Sequence, residues 1–304
     1  MSAAFGADQR HPWLSDSLLA WYFVFVWGVG FIASKTGLQY AAPFTFLALR
    51  FCAGIVVLIP LLVWLKPRWP ATPAIWMHVV IAGLSMHALH LSGSHYSQYE
   101  GLSAGVVAII LAAQPLLTGV IAAALLGERP TTRQWLGIAV GLAGVLLVVW
   151  HKIDIQAMNS RSLTALVVAL LALTVGTLYQ RRYLREVNLF SAALIQFIAS
   201  LLLIAPLAYA VEGAKVVWAW QFIVAILFLV VFASILAVSA LHILMRHGEA
   251  TRVSSILYLP PVFAVAAEWL VYQVVPTPIT FVGITIVCLG VWLAGLVGAK
   301  QRSP

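Results

Sequence analysis

Long apolar runs alternate along this chain with short polar connections. Ten such runs can be recognised, and about 20 apolar residues are enough for a helix to cross the hydrocarbon core of a bilayer. The pattern predicts an all-α membrane protein with ten transmembrane helices. The predicted spans cover residues 14–36, 43–65, 73–95, 102–126, 133–150, 162–182, 189–211, 218–243, 252–273 and 278–298.

The second half of the chain repeats the first half at a constant offset of 146 residues. Each half holds five predicted spans, and an odd number of spans means that the second half enters the membrane upside down. Inverted repeats of this kind form a binding site near the bilayer midplane in many transporters. The matched positions include Gly30 with Gly176, Phe51 with Phe197, Pro60 with Pro206, Ala104 with Ala250, Pro115 with Pro261, Pro130 with Pro276, Gly137 with Gly283, and Gly144 with Gly290.

Basic residues predict the orientation, because cytoplasmic connections carry an excess of Lys and Arg. With both termini in the cytoplasm, twelve basic residues lie at inner span ends and four at outer ends, while Arg50 lies within a span. The predicted organisation is a cytoplasmic segment (1–13), a first five-helix repeat (14–150), a second, inverted repeat (160–298) and a cytoplasmic tail (299–304). We expect the chain to reside in the inner membrane of the cell.

Composition restricts the partners of the protein. The chain is 63% hydrophobic and only 9% charged, whereas soluble proteins carry about 25% charged residues. The net charge of +8 favours anionic lipid headgroups over nucleic acid, since no segment is polar enough for a separate basic domain. The sequence predicts no cofactor and no metal. Small residues let helices approach closely, and we interpret those of spans five and ten as packing within a monomer, with a dimer interface as the alternative.

Span three carries the most unusual polar pattern. His87, His90, Ser94 and Gln98 follow one another at spacings of three, four and four residues, which places them on one helical face. Polar side chains inside a span are costly unless they meet a cavity or a partner. The stripe therefore predicts either an outward-opening aqueous cavity or histidines bonded to neighbouring backbone. A metal site is the third alternative, although Cys and acidic ligands at suitable spacing are missing.

Prolines near the centres of spans four and nine predict hinges. Gln114 precedes Pro115, and Tyr258 precedes Pro260 and Pro261. Proline frees a backbone carbonyl that can face a cavity, although a purely mechanical kink is the alternative. Together with the stripe in span three, polar and aromatic residues of the other spans form the predicted substrate site. Its members are Trp27, Phe31, Ser34, His87, His90, Ser94, Gln114, Thr177, Tyr179, Ser239, His242 and Tyr258.

Arg50 and Glu268 are the two charged residues that are most costly to place inside predicted spans. An uncompensated charge in hydrocarbon is penalised by several kcal/mol. We therefore expect Arg50 and Glu268 to form a structural charge pair. Alternatively, Arg50 receives a substrate carboxylate as a bidentate donor.

Several short motifs of the first half are distinctive. They are Trp27-Gly28-Val29-Gly30-Phe31 with Lys35, Arg50-Phe51, Ser103-Ala104, Gln114-Pro115 and Leu126-Gly127-Glu128-Arg129. They resemble EamA-type transporters of the drug/metabolite transporter superfamily, and the resemblance covers nearly the whole chain. It implies that spans one to four and six to nine surround a central cavity. The chain is most similar to YddG-type aromatic amino acid exporters. One departure is Val274 at the position equivalent to Glu128.

The sequence favours a carrier that exports aromatic and other hydrophobic amino acids by alternating access. Facilitated export is expected because few acidic residues lie within spans, with proton-coupled export of drugs or another metabolite as the alternative. A distant alternative is an intramembrane hydrolase, since Gly101 to Gly105 match G-x-S-x-G around Ser103. That motif needs a strand before the serine and a helix after it. The sequence predicts a helix start there, and therefore no enzyme.

Overall fold

The computed structural model describes residues 12–125, 131–156, 160–237, 239–240, 243 and 259–295. Apart from one isolated bridge between Ala41 and Val216, the regular secondary structure of the described residues is helical. The helices of the first half are α1 (Pro12–Gly37), α2 (Pro43–Leu65), α3 (Pro73–Gly83), π1 (Leu84–Leu89), α4 (His90–Tyr99), α5 (Ala104–Leu111), α6 (Gln114–Leu125) and α7 (Thr132–Gln156). The second half contains α8 (Ser160–Tyr183), α9 (Leu189–Glu212), α10 (Trp220–Leu227), π2 (Phe228–Ala237), α11 (Pro260–Tyr272) and α12 (Pro278–Gly295). The segments π1 and π2 are π-helical.

Seven helices of the described residues are long and apolar enough to cross a membrane, and three shorter apolar helices accompany them. Residues at the helix ends explain where these helices begin and end. Proline opens α2 and α3, where its missing N–H is harmless, and Asn188 caps α9 by accepting from the amides of Phe190 and Ser191. Gly213 ends α9 in the left-handed conformation with φ 67°. The chain is an integral membrane protein with multiple spans.

The equivalent helices α2 and α9 pack against each other and run antiparallel. At one end, Glu212 of α9 accepts hydrogen bonds from the amides of Phe44 and Thr45 at the start of α2, at 2.9 and 2.7 Å. At the other end, the Ser191 hydroxyl near the start of α9 donates to the carbonyl of Arg68, just beyond α2, at 3.1 Å. Two helices at equivalent positions of the repeat therefore have opposite directions.

Contacts between the halves are symmetric when the halves are exchanged. Helix α1 packs on α10, π2 and α11, while its equivalent α8 packs on α3, π1 and α6. Helices α7 and α12, also equivalent, pack on each other through glycines. A Cβ at Gly290 would meet the backbone of Gly141, and a Cβ at Gly144 would lie 2.9 Å from the amide of Val287. These two contacts are images of each other under the 146-residue offset.

The hinges predicted at the prolines coincide with interruptions of the helices. Between α5 and α6 the amides of Leu116 and Leu117 both donate to the carbonyl of Ala113. At the start of α11 the amides of Val262 and Phe263 both donate to the carbonyl of Leu259, which is the equivalent position. Pro115 and Pro260 follow these two carbonyls, and Pro261 is buried beside Pro260. Both halves thus share the same local break.

Candidate functional site

The contact between the halves is centred on two phenylalanines at equivalent positions. The rings of Phe51 on α2 and Phe197 on α9 lie 5.7 Å apart. The imidazole of His87 in π1 contacts both, at 6.5 and 5.1 Å between ring centroids. An aromatic layer between the repeats therefore borders directly on the polar face of span three.

Polar side chains surround this aromatic layer in two related clusters. In the first, Arg50 of α2 donates from Nη2 to the hydroxyl of Ser234 in π2, at 3.2 Å. In the second, Gln196 of α9 pairs through Oε1 with Nε2 of His87 in π1, at 3.1 Å, and its amide nitrogen donates to Gln180 of α8 at 3.5 Å. We call the residues Arg50, Ser234, His87, Gln196 and Gln180 the central polar layer.

Arg50 and Gln196 occupy equivalent positions, since they are 146 residues apart. Each reaches the π-helical segment of the opposite half. The two π-helical segments are themselves equivalent, because π1 shifted by 146 residues falls within π2. A π-helix widens the turn and is found frequently at functional sites. The repeat therefore places two matching helix distortions at the central polar layer.

The predicted polar stripe in span three is divided between two neighbours in the structure. His87 faces α9, as described above. His90 is buried against α8, where its Nδ1 pairs with the carbonyl of Ala169 at 3.1 Å. Ser94 and Gln98 are also buried, and Oε1 of Gln98 has no hydrogen-bond partner among the described residues. His87 lies in π1 and the rest of the stripe lies in α4, and the wider turn of a π-helix explains why one predicted face contacts two helices.

Trp27, Phe31 and Ser34 lie on the inner side of α1. The lipid-facing side of this helix is marked by the exposed residues Leu18, Trp21 and Phe25. At about 100° per residue, Trp27 points about 120–180° away from them, yet it remains 38% exposed. Phe31 packs on the core around α5 and α6, and the hydroxyl of buried Ser34 donates to the carbonyl of Gly30. Trp27 is thus the most exposed of the three, and its ring lies 4.8 Å from that of Phe23 on the same helix.

The remaining predicted site residues are scattered. Gln114 binds the hydroxyl of Thr118, at 3.0 Å, within its own helix. Thr177 donates to the carbonyl of Leu173. Tyr179 belongs to a separate aromatic group, where its hydroxyl pairs with Nδ1 of His78 at 2.7 Å. Ser239 is half-buried, and the last two predicted residues, His242 and Tyr258, lie outside the described residues.

The predicted charge pair between Arg50 and Glu268 is wrong. Glu268 of α11 is bonded to Nζ of Lys35 at the end of α1, with an N–O distance of 2.7 Å. The carboxylate also accepts from the amides of Ala104 and Gly105 at the start of α5, both at 2.9 Å. Helix N-termini favour such negative groups, so the helix start of span four satisfies the charge that the sequence alone assigned to Arg50.

This cluster joins spans one, four and nine at one end of the molecule, which we call the Lys35 end. Beside it, the hydroxyls of Thr36 and Tyr272 lie 2.7 Å apart, and Lys35 lies over the ring of Tyr272. The bridge between Ala41 and Val216 ties the two halves together at the same end. The Lys35 end is therefore closed by direct contacts in this structure.

The serine of the G-x-S-x-G motif is a helix cap. The Ser103 side chain accepts from the amide of Val106 at 3.3 Å, and α5 begins at the next residue. No strand precedes it within the described residues around the motif. Ser103 therefore has a structural role. Its surroundings lack the strand–turn–helix geometry of a nucleophile elbow.

Gln196, Ser234 and Lys35 belong to the observed clusters, but the sequence analysis assigned them no functional role. Gln196 is an uncharged residue in a long apolar helix, although its equivalence to Arg50 was a usable signal. Ser234 and Lys35 gave no comparable signal, because nothing local indicates that they face α2 or α11. Among the described residues, no group of three His, Cys, Asp or Glu side chains could hold a metal ion.

The repeat, its broken helices and its small-residue contacts can be compared with known proteins. The sequence model of the EamA-like transporter family matches residues 15–150 and 160–296. The chain belongs to the EamA-like transporter family. It is a membrane transporter with two copies of the family's sequence unit.

Relatives with curated names are similar along most of their length. The uncharacterized transporter YvbV of Bacillus subtilis (strain 168) is 26% identical, over 97% of this chain and 96% of its own. The uncharacterized inner membrane transporter YedA of Escherichia coli (strain K12) is 23% identical, over 83% and 80%. A probable amino-acid metabolite efflux pump of the same organism is 23% identical, over 91% and 94%. A solved crystal structure shares the fold, with a TM-score of 0.67, 18% identity, and coverage of 95% and 99%.

Proposed function

We propose that this protein exports amino acids, with aromatic and other hydrophobic ones as the preferred substrates. The observation that carries the proposal is the central polar layer beside the Phe51–Phe197 contact. It offers hydrogen-bonding groups for the charged ends of an amino acid and aromatic rings for its side chain. The similarity to a probable amino-acid metabolite efflux pump supports the same substrate class.

The proposed mechanism is alternating access by ten spans in two inverted five-span repeats. The repeats would rock about the central polar layer, with Pro115, Pro260 and Pro261 as hinges and with the π-helical segments as compliant elements. In the state described above the Lys35 end is closed, so the substrate would enter from the opposite end. We place both termini in the cytoplasm and the monomer in the inner membrane.

Transport into proteoliposomes would test this proposal. Purified protein should exchange a radiolabelled aromatic amino acid across the vesicle membrane, and unlabelled Phe, Tyr, Trp and Leu should compete with it. Facilitated transport predicts the same equilibrium accumulation with and without a pH gradient. Failure of every amino acid in the panel to exchange would contradict the proposed substrate class.

A second candidate function is proton-coupled export of a drug or another metabolite. The observation that favours it is the buried carboxylate of Glu268, since intramembrane carboxylates often carry protons in transporters. Accumulation of substrate against its gradient, driven by an imposed pH difference and lost in Glu268→Gln, would support this candidate over facilitated export.

A further inference from the structure

Arg50 is a charged side chain that the described part of the protein does not neutralise. It lies seven residues into α2, which corresponds to about 10 Å from the start of the helix. That depth is within the hydrocarbon core of a bilayer. Its hydrogen-bond partner is the neutral hydroxyl of Ser234. Among the described residues no carboxylate lies within ion-pair distance of it, since Glu268 binds Lys35.

The guanidinium of Arg50 points into the bundle and not towards lipid. The lipid-facing side of α2 is marked by the exposed residues Cys52, Val56, Ile59 and Val63. At about 100° per residue, Arg50 lies about 120–180° away from these four residues. Its side chain is nevertheless only half-buried. The guanidinium therefore lies between helices, and only a minor part of the residue stays accessible there.

The histidines near Arg50 do not neutralise its positive charge. His87, His90 and His95 on span three all interact electrostatically with Arg50, and none of them can supply a negative charge. An Arg side chain carries five N–H donors in a planar fork, of which the Ser234 contact uses one. A carboxylate matches two of the remaining donors with ideal geometry.

The uncompensated charge of Arg50 has no counterpart at the equivalent position of the second half. At the equivalent position of the second half, Gln196 is buried and satisfied on both sides, by His87 and by Gln180. The first half presents a cation with unused donors at the same place. The central polar layer is therefore electrostatically asymmetric, with a cationic side at Arg50 and a neutral side at Gln196.

We propose that Arg50 receives the carboxylate of the transported substrate, so that a carboxylate is a requirement of the central site. This inference rests on the proposed function and narrows it to organic carboxylates. The neutral side at Gln196 carries no charge that the rest of the substrate would have to compensate. An amino acid satisfies both sides, whereas its amide or decarboxylated amine leaves the Arg50 charge unpaired.

The test compares L-phenylalanine with L-phenylalaninamide and phenethylamine in counterflow assays on proteoliposomes. The unaltered protein should transport the acid at least tenfold better than either analogue. Arg50→Gln, which copies the residue of the second half, should lower phenylalanine transport by about 10- to 100-fold, the range expected for loss of a charge-assisted hydrogen bond. The same variant should no longer prefer the acid over the amide, because no charge is left unpaired when the amide binds, and Arg50→Lys should retain part of the preference for the acid.

A matched control removes a cation elsewhere. Lys215→Gln alters an exposed residue in the connection between α9 and α10, and it should change neither rate. Equal transport of acid and amide by the unaltered protein, or an undiminished preference in Arg50→Gln, would overturn the assignment.

A binding measurement separates this inference from the proposed function and does not depend on the folding of a variant. In detergent, 3-phenylpropionate should raise the melting temperature of the unaltered protein, and 3-phenylpropanamide should not. If amino acids fail in transport while this difference persists, the carboxylate site stands and amino acid export falls. If amino acids are transported but acid and amide stabilise the protein equally, export stands and the role of Arg50 falls.

Discussion

At the scale of single residues, Glu268 and Arg50 differ in how far the protein compensates their charges. Glu268 is 4% exposed and is satisfied by a cation and two helix amides. Arg50 has a neutral partner and an open side. Removal of one member of a buried ion pair leaves the other charge unpaired, which is more damaging than removal of both. The structure thus predicts coupling between Glu268 and Lys35 and independence of Glu268 from Arg50.

A double-mutant cycle tests this pairing. Glu268→Gln and Lys35→Met should each lower the free energy of unfolding, and the double variant should recover about 1–2 kcal/mol relative to the sum of the single losses. We expect the lower part of the usual range because Lys35 remains 24% exposed. The same cycle with Arg50→Gln in place of Lys35→Met should be additive within about 0.5 kcal/mol. Thermal unfolding in detergent provides the measurement, and coupling to Arg50 in place of Lys35 would refute the observed geometry.

The sequence located the polar residues of the site better than it identified their partners. Arg50 and His87 stand out as polar residues in apolar runs, because burial of such groups in hydrocarbon is costly. Which helix they face depends on the packing of spans that are distant in sequence. Lys35 was therefore counted only as a basic residue at an outer span end, and Glu268 was paired with the wrong cation. Gln196 was missed although its position equals that of Arg50 plus the repeat offset.

At the scale of elements, packing of α7 on α12 depends on close approach of their backbones. A Cβ at Gly290 would lie 2.7 Å from the carbonyl oxygen of Gly137 and would also meet the backbone of Gly141. Backbone cannot move aside as a flexible side chain can. The predicted small-residue faces of these spans therefore meet within one chain.

Gly290→Ala should destabilise the protein by about 1–3 kcal/mol, the usual range for overpacking a well-packed site. The control is Gly119→Ala, whose added Cβ would make its nearest contact at 3.4 Å, with the Cδ1 atom of Ile138. The melting temperatures of the two purified variants measure the difference in stability. An equal, small effect of both substitutions would show that α7 and α12 are not in backbone contact.

The Lys35 end must open during transport if access alternates. The hydroxyls of Thr36 on α1 and Tyr272 on α11 are hydrogen-bonded there. In a background free of Cys52 and Cys288, cysteines at both positions should be bridged by a short bifunctional thiol reagent. Cross-linking should stop exchange, and reduction of a cleavable linker should restore it. Each single-cysteine variant, treated in the same way, serves as the control, and unchanged exchange by the cross-linked protein would contradict opening at this end.

The sequence predicted the helical spans more fully than the π-helical segments within them. Apolar length and the repeat offset indicated the spans and the breaks at Pro115 and Pro260, since proline acts locally. The π-helical segments π1 and π2 could not be predicted, because an apolar or mixed run fits an α-helix equally well. Both segments pack on helices distant in sequence, π1 on α8 and α9 and π2 on α1 and α2.

At the scale of the whole molecule, α2 starts near the Lys35 end and runs to Lys66, at what we call the Lys66 end. Because α2 is long enough to cross the membrane, we expect the two ends to lie on opposite sides of it. We predict that the Lys66 end is cytoplasmic, because basic residues are concentrated there. In the cysteine-free background, an impermeant maleimide should label Lys215→Cys on intact cells. It should label Lys66→Cys only after permeabilisation. Both positions are exposed, and the reverse pattern of labelling would invert the proposed topology.

The most direct test of the account concerns the central polar layer itself. Counterflow of radiolabelled L-phenylalanine should be measured in proteoliposomes that contain the unaltered protein, Gln196→Leu or Trp218→Ala. Gln196→Leu removes the partner of His87 and Gln180, whereas Trp218→Ala truncates a ring that is 68% exposed at the Lys35 end. The account predicts saturable exchange by the unaltered protein, at least a tenfold loss in Gln196→Leu and nearly full activity in Trp218→Ala. Full activity of a well-folded Gln196→Leu variant would contradict it.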